Sequence, residues 1–248
     1  LPMPFKRYAM QRVWRAEKPQ KGRLREFYQC DIDVIGTKSL LAEAEIAKVT
    51  VEVFQNLGFQ NFQMKVNSRR LMNDILNSFE VVEAKKTGVI RIIDRLAKIG
   101  FAEVKRQLLE VGVADATGLL EILIPAGNNS LTLEKLGKYD LVEIEQFLKY
   151  CSNFSIPDKY IKFDPTLARG LDYYTGIIYE VMDGDSDFGS IAGGGRYDDL
   201  CKLFSDEELS GVGIAFGFER IMLALEAKQV LAKVGLNTAV LVTVLTKA

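Results

Sequence analysis

Between Glu26 and Ile35 side-chain character alternates residue by residue, with Tyr28, Cys30, Ile32 and Val34 on one side and Gln29, Asp31 and Asp33 on the other. A period of two is that of a β-strand, and this one turns an apolar face to a core and a row of amide and carboxyl groups to something polar. The preceding segment, Tyr8 to Glu17, also reads as a strand, with Gln11, Val13, Arg15 and Glu17 on one face. Residues 18–25 between them hold a proline, a glycine and four cations, the composition of an exposed loop. The pair predicts an antiparallel hairpin with a cationic tip and a polar inner face.

Around this hairpin the texture changes twice. Leu40 to Leu57 carries Ala44, Ala47, Val51, Phe54 and Leu57 at helical spacing and meets Gly58, a helix stop. A short strand (Phe62 to Asn67) and a helix (Arg69 to Phe79) follow. From about Glu80 to Lys159 amphipathic helical segments dominate, including Val89 to Ile99 and Ala102 to Val111, which suggests a helical insertion. Strand character returns at Tyr160 to Asp164 and in the β-branched run that directly follows "RGLDYYTG". "GVGIAF" reads as a glycine-permitted strand, and Glu219 to Leu225 as a helix burying Ile221, Met222 and Leu225. The expected class is α+β, an antiparallel sheet flanked by helices. Expected boundaries are 1–79 and 160–230 for the two parts of the sheet domain, 80–159 for the insertion, and 231–248 for a linker and the first strand (Thr238 to Thr246) of a further domain. The opening "LPMPF" reads as a start in mid-domain.

Composition narrows the chemistry. The chain of 248 residues contains no histidine, which removes serine-histidine and cysteine-histidine catalysis, histidine bases and most zinc sites. Arginines, carboxylates and tyrosines remain. The three cysteines lack CxxC spacing, so neither a zinc site nor a disulfide framework is expected and a reducing cytoplasm fits best. No apolar run approaches a membrane span. The net charge of −1 conceals a cationic segment from Lys6 to Arg25 in which Glu17 is the one acid, a surface suited to an anionic ligand.

Two stretches concentrate polar groups beside strand-forming residues. "RGLDYYTGIIYE" (Arg169 to Glu180) sets a guanidinium and paired tyrosines before a strand, and "GGGRYDDL" places three glycines ahead of Arg196, Tyr197 and Asp198. Taken alone, the hairpin is equally a solvated basic surface and the tyrosines equally an aromatic core with hydroxyls at its rim. As a phosphate site, however, the hairpin has suitable parts. Guanidinium groups bind phosphate bidentately, Glu17 can accept from an adenine amino group, and Phe27 can stack on a purine.

The hairpin resembles motif 2 of class II aminoacyl-tRNA synthetases, an Arg-x-Glu strand, a loop, and an Arg-x-x-x-Phe-x-x-x-Asp strand, filled here by Arg15, Glu17, Arg23, Phe27 and Asp31. "GVGIAFGFERI" resembles the family's motif 3, with Arg220 on its helix and Ala215 where many relatives have glycine. "LARGLDYYTG" and "GGGRYDDL" look like the two histidine-binding signatures of histidyl-tRNA synthetases. The resemblance implies a class II catalytic domain that activates histidine with ATP, as its Mg2+ complex, and passes the histidyl group to tRNA(His). It implies Arg15 and Arg169 at the α-phosphate, with Arg169 acting where many relatives rely on a metal, and no protein-bound metal. Arg23 and Arg220 are implied at the outer phosphates, and Glu17 and Phe27 at adenine. Gln29, Asp33, Arg169, Tyr173, Tyr174 and Tyr197 are implied at histidine. It further implies a cytoplasmic homodimer with an anticodon-binding domain after about residue 231, and a motif 1 and a histidine-binding glutamate ahead of Leu1. The alternative is a non-catalytic paralogue, such as the regulatory subunit of ATP phosphoribosyltransferase or a synthetase-like tRNA-sensing domain of a kinase.

Overall fold

The computed structural model describes residues 2–16, 18–19, 24–170, 173–186, 188–203 and 208–230, with Cys201 described by its backbone alone. Its frame is a seven-stranded sheet made of β1 (Phe5–Trp14), β2 (Glu26–Ile35), β3 (Phe62–Ser68), β4 (Ile161–Phe163), β5 (Ile177–Asp183), β6 (Ser190–Arg196) and β7 (Gly211–Gly217). Their order across the sheet is β1-β2-β7-β6-β5-β3-β4. Every neighbouring pair is antiparallel except β3 and β4. The class is α+β, as the sequence leads one to expect.

The period-two strand at Glu26–Ile35 forms over that span. Its partner begins earlier than the sequence predicts, at Phe5, and ends at Trp14, so Arg15 stands just past the strand. Arg15 still donates its backbone N–H to the carbonyl of Arg25 (2.9 Å), which keeps the hairpin closed at that level. Tyr28 departs from the expected apolar face, being 43% exposed where only Val34 is buried. The hairpin lies at the edge of the sheet, and near its tip Tyr28 meets the ring of Phe218, 6.1 Å away, and the guanidinium of half-exposed Arg12, 5.5 Å from its ring centre.

One sheet face is covered by α1 (Leu41–Asn56), which buries Ala44, Ile46, Ala47, Val51 and Phe54. Phe54 meets the rings of Phe59, Phe62 and Phe216 at 5.3 to 5.8 Å, locking helix to sheet through the most area-rich side chains available. Gly58 ends the helix with a φ of 88°, a conformation that suits a residue without Cβ, while the Phe59 N–H returns to the carbonyl of Phe54. Next, α2 (Arg69–Ser78) is capped by the Ser68 hydroxyl, which accepts from the N–H groups of Arg70 and Leu71.

Residues 83–153 fold as α3 (Glu83–Ile93), α4 (Leu96–Glu110), α5 (Ala116–Leu123), α6 (Asn129–Lys135) and α7 (Val142–Asn153). Helix α7 returns onto α1 and the sheet, setting Phe147 6.1 Å from the fully buried ring of Tyr179. The last described helix, α8 (Phe218–Ala227), buries Ile221, Ala224 and Leu225, so Ala224 takes the core position expected of Met222, which is half-buried. A small residue fits where α8 crosses close to β6 and β7. The expected strand at Thr238 to Thr246 lies outside the described residues. No helix among the described residues is long and apolar enough to cross a membrane.

Candidate active site

The polar row of β2 finds almost no side chains opposite it. Gln29, Asp31 and Asp33 pair across the ladder with Gly217, Ala215 and Gly213 of β7, and the next strand sets Gly193 and Gly195 of β6 beside Ala215 and Gly213. The sheet therefore carries a trough whose floor is nearly bare backbone. A Cβ at Gly213 would collide with the Asp33 carboxylate, and one at Gly193 with the Arg169 guanidinium. A Cβ at Gly195 would stand 2.9 Å from Cδ1 of Tyr174. The glycines leave room for the polar side chains and for whatever those side chains hold.

Two clefts open along this trough. The first, of about 200 Å3, is lined by Arg15, Phe27, Gln29, Arg169, Glu180, Gly193, Ala215, Glu219 and Arg220 among others. The second, of about 390 Å3, is lined by Arg7, Gln29, Asp31, Asp33, Tyr173, Tyr174, Gly193, Tyr197 and Ala215 among others. Gln29, Gly193 and Ala215 belong to both. Together they have the size of a small-molecule site with cationic groups at one end and hydroxyls and carboxylates at the other.

The arginines of the first cleft are held from below. Arg15 donates to Oε1 of Gln29 (3.0 Å) and lies 5.0 Å over the ring of Phe27. Arg220, in the first turn of α8, donates to the carbonyl of Ser190 (2.6 Å). Arg169 reaches over Gly193 to donate to the carbonyl of Tyr179 (2.7 Å), with its guanidinium 5.4 Å from the Tyr174 ring centre. Its backbone has a φ of 39°, an unusual conformation for a residue with a side chain, and its carbonyl accepts from buried Arg69 (2.8 Å). A side chain fixed at both its own backbone and its tip, beside a substrate-sized cleft, is where strain of this kind concentrates.

In the second cleft the Tyr197 hydroxyl donates to Oδ1 of Asp33 (2.6 Å), while Arg7 approaches Oδ2 (3.3 Å) from the opposite β1 position. Asp31 accepts from Nε2 of Gln29 (2.7 Å), and burial with the neighbouring Asp33 charge pushes its carboxyl above the usual range, against the opposing pull of Gln29 and the arginines. Tyr174 is 8% exposed and burial raises its hydroxyl well above the ordinary tyrosine value. The Tyr173 ring lies tilted by 48° against it, 4.6 Å between ring centres, and is 40% exposed at the mouth.

The structure thus brings together Arg15, Phe27, Arg169 and Arg220 in one cleft and Asp33, Tyr173, Tyr174 and Tyr197 in the other, with Gln29 between. Glu17 and Arg23 lie outside the described residues. Tyr197 directs its hydroxyl proton to Asp33. Sequence reasoning passed over Arg7, Glu180 and Glu219 and gave Asp31 no site role. The polar period of β2 already marked Asp31, and the same period on β5 could have marked Glu180, which faces Gly193. Glu219 ties α8 to β2 by accepting the Tyr28 N–H (2.7 Å), while its Oε2 is buried with no partner among the described residues.

Comparison with known proteins agrees with this geometry. The family model described as "Histidyl-tRNA synthetase" matches residues 3–221. The histidine–tRNA ligase of Clostridium tetani is 38% identical over 94% of this chain and 56% of its own length. That of Cytophaga hutchinsonii is 42% identical over 88% of this chain and 50% of its own length. The chain spans about half the length of the curated relatives it matches. The crystal structure of histidyl-tRNA synthetase from Nostoc sp. PCC 7120 superposes with a TM-score of 0.82 at 33% identity, covering 93% of this chain and 56% of that one. A structure from Bacillus halodurans, titled as an ATP phosphoribosyltransferase regulatory subunit/histidyl-tRNA synthetase, shares the fold with a TM-score of 0.76 at 21% identity, over 91% of this chain and 59% of that one. With a family model that matches residues 3–221, the chain belongs to the histidyl-tRNA synthetase family.

Proposed function

We propose that the site activates histidine with ATP, as the Mg2+ complex, and passes the histidyl group to tRNA(His). The observation that carries this reading is the junction of the two clefts at Gln29, Gly193 and Ala215, with Arg15 and Arg169 at its edge. A histidine whose imidazole points to Tyr174 and Asp33 brings its carboxylate to this junction, and an ATP held by Arg15 and Arg220 brings its α-phosphate to the same place. The carboxylate attacks the α-phosphorus and pyrophosphate leaves. A carboxylate is already ionised at neutral pH, so the step needs no general base. That suits a chain without histidine and leaves catalysis to positioning and charge stabilisation.

In this reading Arg15 and Arg169 hold the α-phosphate, Arg220 and Arg23 the outer phosphates, and Phe27 and Glu17 the adenine. Phe27 is now covered by the Arg15 guanidinium, so a stacked purine requires Arg15 to swing to the phosphate. Gln29, Asp33, Tyr173, Tyr174 and Tyr197 surround the amino acid, and Asp31 is the carboxylate placed for its ammonium group. Residues 1–79 and 160–230 form the two parts of the catalytic domain, 80–159 the insertion, and the whole protein acts as a cytoplasmic homodimer. The four cleft-lining arginine and aromatic positions favour this over a non-catalytic paralogue, whose function needs no phosphate site. Histidine-dependent ATP–pyrophosphate exchange by the full-length protein tests it. Exchange with histidine and not with other amino acids is expected, and its absence with all amino acids would leave the paralogue.

A further inference from the structure

The second cleft contains a charge balance that the activation reaction does not itself require. Two carboxylates, Asp31 and Asp33, stand on adjacent polar positions of β2, and one guanidinium, Arg7, reaches Asp33 from the paired position on β1. The strand repeat puts Asp31 and Asp33 about 6.6 Å apart along β2, comparable with the separation of the ammonium group and the ring of one histidine. A bound amino acid therefore supplies a cation for Asp31 but meets Asp33 already neutralised.

We infer that Arg7 is a positioning residue that sets the protonation state in which the histidine ring is accepted: by pairing with Asp33 it makes the site select the neutral imidazole over the imidazolium. This rests on the histidine reading above and goes beyond it. The groups facing Asp33 are Arg7 from β1, Tyr197 after β6, Asp31 on its own strand and Tyr173 and Tyr174 across the cleft; β7 contributes Gly213, which has no side chain. Tyr197 and Arg7 each take one oxygen of Asp33, which keeps the carboxylate oriented with further lone pairs to accept one ring N–H. A neutral ring needs one acceptor and one donor, and the Tyr174 hydroxyl, which here hydrogen-bonds with Tyr173 and Arg169, becomes that donor by turning its proton to the ring. An imidazolium would bring a second N–H and a charge that nothing left in the cleft balances. Without Arg7 the half-buried Asp33 is an uncompensated anion, and the cheapest compensation is a proton carried in on the substrate ring.

The test is direct binding of histidine to the full-length protein by calorimetry, comparing wild type with Arg7→Met and Arg7→Lys. A ring that titrates near its ordinary value should make wild-type binding about tenfold weaker at about pH 5.5 than at about pH 7.5, with the same trend in Arg7→Lys. In Arg7→Met the trend should reverse, with tighter binding at the lower pH. Triazolylalanine, whose ring stays neutral throughout this range, separates the ring from Asp31. It should bind wild type with any pH dependence due to Asp31 alone, and should lose affinity for Arg7→Met at both pH values. An Arg7→Met chain that keeps the wild-type trend for histidine overturns the inference while leaving the histidine reading intact. A wild-type chain that binds no histidine at either pH overturns both.

Discussion

Arg196 and Glu43 meet as a buried two-pronged ion pair, with relative exposures of 2% and 0% for the side chains and Nη2 2.7 Å from Oε2, which pins β6 to α1 directly behind the binding trough. The remaining guanidinium nitrogen donates to the carbonyl of Thr37 (3.0 Å), to Ser210 and to Asp198 (3.1 Å), so every prong of the side chain is used. Satisfied in this way the pair adds little net stability, but removing one member strands the other in the core. Glu43→Ala should cost about 3 to 5 kcal/mol. Urea unfolding measures it, and a loss below about 1 kcal/mol would show that the network relaxes around an uncompensated Arg196.

Gly193 is open to a sharper substitution. Its backbone would accept alanine, yet the added methyl would fall on the Arg169 guanidinium, which the carbonyl of Tyr179 holds in place. Gly193→Ala should resemble Arg169→Ala in lowering histidine-dependent pyrophosphate exchange by about a hundredfold or more while ATP binding persists, because both remove a donor that strengthens as charge develops. Near wild-type exchange in Arg169→Ala would remove that arginine from the phosphate.

Asp31 sets stability against binding. Its carboxyl is raised in the folded chain, mainly by burial, so the fold binds that proton more tightly than the unfolded chain does. The sign follows from linkage: the ionised form destabilises the fold, and the cost grows as pH rises from the unfolded value through the folded one and is complete above it. Asp31→Asn imitates the protonated form and can still accept from Gln29. It should unfold at a higher urea midpoint at pH 7 and bind histidine about tenfold or more weakly, the loss expected for a hydrogen bond to a charged partner. A lower midpoint would contradict the cost of burying the carboxylate, and unchanged histidine affinity would contradict the assignment of its ammonium partner.

Burial pushes the Cys151 thiol up to about 12, so almost none of it is thiolate at neutral pH. Maleimide labelling at pH 8 followed by peptide-resolved mass spectrometry should find Cys151 protected in the native chain and modified only as urea unfolds it. Rapid native labelling would mean that α7 opens locally.

The sequence made some of this site legible because its polar residues repeat with the period of their strand. Gln29, Asp31 and Asp33 share a face for that reason alone, and "GGGRY" and "GVGIAFG" announce close backbone approach without saying to what. Register supplies the rest. That Asp33 meets Gly213 on one side and Arg7 on the other depends on pairings between residues far apart in sequence, which no local pattern contains. Arg7 in particular looks like one more cation in a basic segment until β1 starts at Phe5 instead of Tyr8 and brings it into line with Asp33. Tyr28 failed for the converse reason: its alternation was right, but an edge hairpin leaves its outer face uncovered near the tip.

Gln29 and Gly193 line both clefts, and in the proposed reaction histidine and adenosine phosphate meet there as in one continuous site. A non-hydrolysable histidyl-adenylate analogue, with a sulfamoyl group in place of the phosphoryl, occupies both halves at once. Titrated into the chain by calorimetry, it should bind at least about a hundredfold more tightly than either histidine or AMP alone, as expected when two ligands are joined at the separation their sites require. An analogue that binds no more tightly than the better of the two fragments would show that the clefts do not communicate and would contradict the account.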